Sequence, residues 1–286
     1  MNADGQIKTL FDKDGITLFV NGGDKTDGDD SGIIITLSIH RQDSKNVINP
    51  TMISLLIEAL DIIDSHPMLA NTNNKALIIT GLSFNDKYEP QISASKFFSN
   101  GLDLQWMVSA DNSKGDDPTS KLIESFNSQV LARILVLPYP TIAAINGHCI
   151  GAGLFLSLAC DYRIMRSKRG YISWPEANLG MRLTKGFSEL SKAKISNHHV
   201  LREGILTAKK YTSSKALTSG IIDAECDMEE LYNHAFDMAK KTLPETGMKL
   251  EYFDPKAYTE IKMEMWTDAY RALKFGKVED LPYSRI

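Results

Sequence analysis

The chain has 286 residues, of which 43% are hydrophobic and 24% are charged, and its formal net charge is -4. Such a chain is typical of a soluble globular protein that buries a sizeable core, either as one large domain or as a domain with an appendage. The acidic balance argues against a nucleic-acid-binding surface, and no apolar run approaches membrane-spanning length. Three widely spaced cysteines without a CxxC pair favour a reduced compartment over a disulfide scaffold or a metal site.

The first part of the chain alternates strand and helix patterns. Two β-branched runs, GITLFV and GIIITLSIH, predict a hairpin with a long polar tip. The segment NPTMISLLIEALDIID predicts a helix, because Asn49 can cap it, Pro50 suits its first turn, and apolar residues recur at helical spacing. The run KALIITG then indicates a buried strand, and the polar segment LSFNDKYEPQISAS behind it indicates a surface insertion.

The later part of the chain becomes mostly helical. The segment TSKLIESFNSQVLARILVLP predicts an amphipathic helix that ends at Pro138, and TIAAI and DYRIMR predict strands. Strand patterns fade after about Ser188, and helical patterns run through SSKALTSGIID, MEELYNHAFDMAKKTL and PKAYTEIKMEMWTDAYRALKF. We therefore predict an α/β core over residues 1–205 and a helical C-terminal region over residues 206–286.

The stretch INGHCIGAGLFLSLACDYRI places small residues between a strand and a helix. Its glycines, Gly147, Gly151 and Gly153, do not match a dinucleotide fingerprint, a P-loop or a nucleophile elbow. Small residues there can serve tight packing alone, or can open backbone N–H groups to an anion or an oxyanion. A second such turn, SNGLD in KFFSNGLDLQWM, follows another predicted strand. The two turns could each supply one N–H to a single oxygen.

Four blocks occur in order between about Gly15 and Asp223: LIITG with KFFSNGLDL, then AAINGHCIGAGLFLSLACDYRI, then YISWPEANLG, then ALTSGIID. Their order and spacing resemble the enoyl-CoA hydratase/isomerase (crotonase) superfamily. Within it, KFFSNGLDL and the DYRIMR–RGY run are most similar to the Δ3,Δ2-enoyl-CoA isomerases of fungi and plants. The resemblance implies an α/β fold with a crotonase-like spiral of ββα units, and a homotrimer or dimer of trimers in which residues 206–286 are the trimerisation region.

The resemblance also implies roles for three residues. The backbone N–H groups of Leu102 and Ala152 would bind the thioester oxygen of an acyl-CoA substrate, and Glu176 in WPEANLG would be the catalytic carboxylate. Hydratases of the family can carry another carboxylate two residues after the G-x-G turn, where this chain has Phe155. Hydration usually uses two carboxylates, whereas moving a double bond needs only one base, so a single glutamate favours isomerisation.

Two other positions leave alternatives open. Some fungal isomerases of the family place their base about where Thr184 falls, and threonine cannot act as a carboxylate; Glu189 lies nearby. The expected activity is a Δ3,Δ2-enoyl-CoA isomerase of fatty-acid β-oxidation, without a cofactor or metal, since CoA is part of the substrate. The alternatives are a dienoyl-CoA isomerase, an enoyl-CoA hydratase, or an inactive acyl-CoA-binding or assembly subunit in which Glu176 is a solvated turn residue.

The C-terminus carries a candidate targeting signal. Ser284, Arg285 and Ile286 resemble the serine–basic–aliphatic tripeptide that a peroxisomal import receptor reads. The polar, acidic N-terminus MNADGQIKTLFDKDG lacks the pattern of a secretory signal. We therefore expect a peroxisomal location, with a cytoplasmic location as the alternative.

Overall fold

The structure, a computed structural model, describes residues 7–22, 32–92, 96–110 and 117–278. Its strands are β1 (Ile7–Lys13), β2 (Ile16–Asn21), β3 (Ile33–Ile39), β4 (Lys75–Thr80), β5 (Ser83–Phe84), β6 (Pro90–Gln91), β7 (Phe97–Ser99), β8 (Thr141–Ile145), β9 (His148–Ile150), β10 (Tyr162–Arg166), β11 (Ile172–Ser173) and β12 (Ala224–Cys226).

Its α-helices are α1 (Pro50–Ser65), α2 (Pro67–Ala70), α3 (Leu104–Ser109), α4 (Pro118–Ser125), α5 (Ala132–Leu135), α6 (Ala152–Ala159), α7 (Glu176–Leu179), α8 (Lys185–Lys194), α9 (His198–Thr207), α10 (Ser213–Thr218), α11 (Leu231–Thr242), α12 (Pro255–Met265) and α13 (Thr267–Phe275). A π-helical segment, Phe126–Leu131, joins α4 to α5, and 3₁₀ turns cover Gln42–Ser44 and Met228–Glu230. Within these residues, no helix is both long and apolar enough to cross a membrane.

The main sheet has seven strands in the order β1-β2-β3-β4-β8-β10-β12. The strands β1, β2 and β3 are antiparallel, and the predicted hairpin is confirmed because β2 pairs with β3 from Ile16↔Ile39 to Asn21↔Ile34. The predicted tip of this hairpin includes residues 23–31, which lie outside the described residues. From β3 to β12 every neighbouring pair is parallel. Parallel strands need crossover connections, and helices supply most of them.

Helices cover both faces of the main sheet. On one face, α11 buries Leu231, Ala235 and Ala239 against a cluster that includes Ile78 and Ile142. On the other face, α1, α6 and the π-helical segment bury a larger cluster. Helix α1 begins as predicted, since the Asn49 Oδ1 atom accepts a hydrogen bond of 3.0 Å from the Met52 N–H and Pro50 is its first residue.

A second, three-stranded sheet has the order β11-β9-β7 and positions the turns of the site. Each of its strands follows a strand of the main sheet in the chain: β7 follows β4 through the insertion, β9 follows β8, and β11 follows β10. The chain then enters a helix each time, α3, α6 or α7. This repeated strand–strand–helix unit is the ββα spiral expected from the resemblance.

The two sheets approach closely where β8 gives way to β9. Asn146 lies between them, where its Oδ1 accepts from the Gly81 N–H at 3.0 Å and its Nδ2 donates to the Phe97 carbonyl at 3.1 Å. A Cβ atom on Gly147 would lie 1.9 Å from the Lys96 carbonyl oxygen, so only glycine fits at this crossing. The first glycine of the NGHCIGAG stretch therefore has a packing role.

The structure departs from the predicted elements in several places. Strand β1 was not predicted, and the insertion after β4 contains the short hairpin β5–β6. The long helix predicted to end at Pro138 is divided into α4, the π-helical segment and α5. The main sheet also takes β12 from the region predicted to be helical, because three residues are too few to show a strand period.

The C-terminal helices are tied to the core of the same chain. The Lys262 Nζ atom of α12 donates to Asp161 Oδ2 at 2.7 Å and to the Tyr139 carbonyl at 3.0 Å. Helix α13 packs against α8 and the π-helical segment. The role of residues 206–286 in trimerisation stays a prediction.

Candidate active site

The first turn of the site runs from β7 into α3. Asp103 caps α3, since its Oδ1 accepts from the Trp106 N–H at 3.0 Å, and its Oδ2 accepts from Asn49 Nδ2 at 3.1 Å. The Gly101 carbonyl accepts a hydrogen bond from the Ile48 N–H at 2.7 Å, and the Asp103 N–H donates to the Ile48 carbonyl at 3.0 Å. Leu102 lies between these two bonds, so the peptide that carries its N–H is held by the loop before α1.

The second turn runs from β9 into α6. Gly151 has φ +52° and ψ -120°, a backbone conformation that favours glycine, and its N–H donates to the Ser173 carbonyl at 3.0 Å. Ala152 is the first residue of α6, where backbone N–H groups have no partner within the helix. The helix dipole makes this end of α6 electropositive.

The two turns lie against each other. A Cβ atom on Gly101 would be 2.8 Å from the Ile150 carbonyl oxygen and 3.4 Å from the Ala152 nitrogen. A Cβ atom on Gly153 would be 2.6 Å from the Ser99 Cβ atom. Gly101 and Gly153 therefore serve the tight packing that the sequence allowed, because they let two backbones approach closely, and that approach brings Leu102 and Ala152 to one cavity.

A third turn presents Glu176. Two residues earlier in the chain, Trp174 is fully buried, and the Nε1 atom of Trp174 donates a hydrogen bond of 3.0 Å to Ser191 Oγ. Pro175 follows, and Glu176 is the first residue of α7. A Cβ atom on Gly151 would lie 3.8 Å from Glu176 Oε1, so the carboxylate stands beside the second turn.

The environment of Glu176 favours its neutral form. Burial raises the pKa of its carboxyl group to about 7, and a smaller opposing effect comes from its own backbone N–H. Its Oε2 atom is buried and has no hydrogen-bond partner in the part of the chain that the structure describes. A carboxyl with a pKa near neutrality can both accept and return a proton at physiological pH.

The three turns share one cavity of about 200 Å³. Leu102, Ala152 and Glu176, which the sequence singled out from three distant segments, all line it. Much of the remaining wall is apolar and is made by Leu104, Ile123, Ile150, Leu179, Met181 and Phe187. Arg182 and Thr184 also line the cavity, and the Arg182 guanidinium donates to the Val278 carbonyl.

The other positions that the sequence raised lie differently. Phe155 is fully buried and does not line the cavity. Glu189 lies on α8, where it pairs with Lys192 at 2.5 Å, and it is not a lining residue. Thr184 does line the cavity, with its side chain buried. Of the candidate carboxylates, Glu176 alone belongs to the cavity among the described residues.

Several lining residues were missed by reasoning from the sequence. Ile123 lies in the segment TSKLIESFNSQVLARILVLP, which predicts an amphipathic helix and nothing more, and Phe187 and Met181 are not singled out by the sequence. An apolar residue that lines a cavity has the same pattern in a sequence as one that packs in a core. Across the described ranges, no group of three histidine, cysteine, aspartate or glutamate residues could hold a metal ion.

Comparisons with known proteins agree with these observations. A family model described as enoyl-CoA hydratase/isomerase matches residues 29–270. The chain is 43% identical over 137 residues to enoyl-CoA delta isomerase 2, peroxisomal, of Arabidopsis thaliana, which covers 47% of this chain and 57% of the relative. It is 40% identical over 129 residues to enoyl-CoA delta isomerase 3 of the same plant, covering 45% of this chain and 53% of the relative. The chain therefore spans about half the length of these curated relatives.

Solved structures show the same fold. A probable enoyl-CoA hydratase from Mycobacterium tuberculosis H37Rv superposes with a TM-score of 0.70 at 23% identity, covering 92% of this chain and 93% of that one. The human mitochondrial Δ3-Δ2-enoyl-CoA isomerase superposes with a TM-score of 0.64 at 19% identity, covering 85% and 83%. The predicted crotonase-like α/β fold is thus confirmed. Because the family model matches most of its length, this chain belongs to the enoyl-CoA hydratase/isomerase family.

Proposed function

We propose that the chain is a Δ3,Δ2-enoyl-CoA isomerase, which moves a double bond from position 3 to position 2 of an enoyl-CoA thioester during fatty-acid β-oxidation. The observation that carries the proposal is one cavity lined by two turns with backbone N–H groups and by a single carboxylate with a pKa of about 7. The family assignment and the names of the plant relatives support it.

The backbone turns would bind the thioester oxygen. In this mechanism the oxygen accepts hydrogen bonds from the N–H groups of Leu102 and Ala152. Negative charge grows on the oxygen as a proton leaves C2, so both bonds strengthen in the transition state. Each such donor typically lowers the barrier by about 2.7–4 kcal/mol. The electropositive end of α6 acts in the same direction.

Glu176 would be the base and then the acid. Its carboxylate takes a proton from C2 of the bound substrate, and the resulting enolate is held by the two backbone donors. The protonated carboxyl then returns a proton to C4, so that the double bond ends between C2 and C3. A pKa of about 7 suits both steps, since the group is neither too weak a base nor too weak an acid. CoA enters as part of the substrate, and the reaction needs no metal or redox cofactor.

Location and assembly extend the proposal. The relatives named above include a peroxisomal enzyme, and enoyl-CoA delta isomerase 1 of Arabidopsis thaliana is also named peroxisomal. Ser284, Arg285 and Ile286 lie outside the described residues. We propose that they direct the chain to peroxisomes through the import receptor.

We also propose a homotrimer or a dimer of trimers with contacts from residues 206–286, where Tyr252, Ile261 and Met265 expose apolar side chains.

The direct test is to mix the purified full chain with a 3-enoyl-CoA and follow the ultraviolet absorbance of the conjugated 2-enoyl thioester. We expect the absorbance to rise at an initial rate that is proportional to enzyme concentration. A rise only with a 3,5-dienoyl-CoA would instead indicate a dienoyl-CoA isomerase, and consumption of a 2-enoyl-CoA would indicate a hydratase. Binding of acyl-CoA without any turnover would indicate an inactive binding subunit.

A further inference from the structure

Thr184 stands at the start of α8 but does not cap it. Threonine is a favourable N-cap residue because its hydroxyl can accept from the backbone N–H groups of the first turn. The side chains of Asn49, Asp103, Asn197 and Asp254 cap their helices in this way. Thr184 has the extended backbone of an N-cap residue, with φ -68° and ψ 159°, yet its side chain accepts no capping hydrogen bond. Its hydroxyl is therefore available for another partner.

The Thr184 hydroxyl is buried in the wall of the cavity. Thr184 is only 4% exposed and lines the same cavity as Glu176. Its Oγ1 atom is buried without a hydrogen-bond partner anywhere in the described ranges, and so is Oε2 of Glu176. A buried polar atom without a partner is destabilising, so such atoms are rare unless another group satisfies them in the working state. Both of these unpartnered atoms belong to residues that line one small cavity.

We propose that Thr184 is a positioning residue for Glu176: with the cavity occupied, the Thr184 hydroxyl donates a hydrogen bond to the Glu176 carboxylate, directly or through one ordered water. This inference rests on the proposed function and assigns a residue that works through the base. The bond orients the carboxylate toward C2 and C4 and favours its charged form. Water can carry such a bond with little loss of strength.

Among the cavity-lining residues that the structure describes, only Glu176 and Thr184 have a buried side-chain polar atom without a hydrogen-bond partner. The cavity wall also carries the apolar side chains of Ile123, Leu179 and Phe187, which cannot form hydrogen bonds, and the amide of Asn100. Arg182 is the other charged residue of the wall, and its guanidinium bonds to the Val278 carbonyl. The helices packed nearby carry further titratable groups that do not line the cavity: Lys185, Glu189, Lys192, Lys194, His198, His199, Arg202 and Glu203.

The test compares Thr184→Val, which keeps the shape but removes the hydroxyl, with Thr184→Ser, which keeps the hydroxyl. Both variants and the wild-type chain are saturated with hexanoyl-CoA, which has no double bond to move, and the Glu176 carboxyl is titrated by NMR after ¹³C labelling of glutamate. The Glu176 signal is identified by its loss in Glu176→Gln. We expect T184V to raise the Glu176 pKa by about one unit, because a hydrogen bond to the charged form is lost, and T184S to stay near wild type.

Turnover provides the second readout. We expect T184V to lower kcat about tenfold or more with KM nearly unchanged, to move the acidic limb of the pH profile upward, and T184S to restore both. An unchanged Glu176 pKa in T184V, or a T184S variant as impaired as T184V, would overturn the inference. If T184V does not fold by circular dichroism, Thr184→Ala replaces it. The NMR titration needs no turnover, so an inactive wild-type chain would defeat the proposed function alone.

Discussion

The ring of Phe155 stacks on the ring of Phe187, with centroids 4.0 Å apart and an angle of 9° between their planes. Phe187 lines the cavity, and Phe155 lies fully buried behind it. The position where hydratases of the family can carry a carboxylate is thus occupied by an aromatic side chain that packs behind the cavity wall. Among the described residues, the cavity is therefore left with one carboxylate, that of Glu176.

We expect negligible hydration of 2-enoyl-CoA by the wild-type chain, because one carboxylate cannot both activate a water and protonate carbon efficiently. The assay follows loss of the conjugated thioester absorbance with a 2-enoyl-CoA, beside the isomerase assay under the same conditions. Phe155→Leu, which keeps an apolar wall, is the control and should also lack hydration. Hydration at a rate comparable to isomerisation would contradict this prediction.

Glu176→Gln should lower the isomerase rate by about 10²–10⁴-fold, because glutamine keeps the size of the side chain but cannot accept the proton. Affinity for acyl-CoA, measured by calorimetry, should stay near the wild-type value. Glu189→Gln is the matched control, since Glu189 pairs with Lys192 away from the cavity and its loss should leave turnover nearly unchanged. A folded E176Q chain that keeps most of its activity would remove Glu176 from the mechanism.

The raised pKa of Glu176 predicts two pH effects. Activity should fall as the pH drops below about 7, since the base must be ionised to take the C2 proton. The contribution of Glu176 to the free energy of unfolding should change in the opposite direction, falling as the pH rises. Between the ordinary value of 4.5 and about 7, the native chain holds a proton that the unfolded chain has released, so the contribution of Glu176 to stability is lost as pH rises through this window.

At pH 8 the wild-type chain buries the charged carboxylate of Glu176, whereas glutamine is neutral at every pH. The Tm of E176Q should therefore exceed that of wild type at pH 8, and the difference should shrink toward pH 5. Scanning calorimetry across this range measures it, with E189Q as the control that should not show the effect. Equal melting temperatures of wild type and E176Q at pH 8 would mean that the native pKa of Glu176 is near its ordinary value.

Ala152→Pro should remove one oxyanion donor while keeping α6. Ala152 is the first residue of this helix, a position that accommodates proline, and Gly151 before it has no Cβ to clash with the ring. We expect kcat to fall about 10²–10³-fold with little change in thioester affinity. Ala152→Gly, which keeps the N–H, is the control and should retain most activity. If circular dichroism shows an intact fold and turnover is unchanged, the Ala152 N–H does not bind the oxygen.

A fluorescent reporter that ends in PYSRI should gather in puncta that overlap a peroxisomal marker. Deletion of Ile286 should make the same reporter diffuse, because the receptor reads the terminal tripeptide. Diffuse fluorescence with the intact ending would favour the cytoplasmic alternative.

The sequence by itself determined the local features whose signals are short-range. Asn49 caps α1 as predicted because an N-cap depends only on residues within one turn. The β2–β3 hairpin follows from two adjacent β-branched runs. The family and the three candidate residues, Leu102, Ala152 and Glu176, could be read because their motifs occur in order along the chain.

Only the tertiary structure decided how these segments meet. Strands β7, β9 and β11 have two or three residues each, too few to show a period, yet their sheet brings three turns to one cavity. Burial by the surrounding fold raises the pKa of Glu176, and packing against Phe187 places Phe155 behind the cavity wall. The Thr184 hydroxyl makes no capping hydrogen bond, and the sequence could not show this. The sequence gives the chemistry of a side chain, but the surrounding fold decides which partners it has.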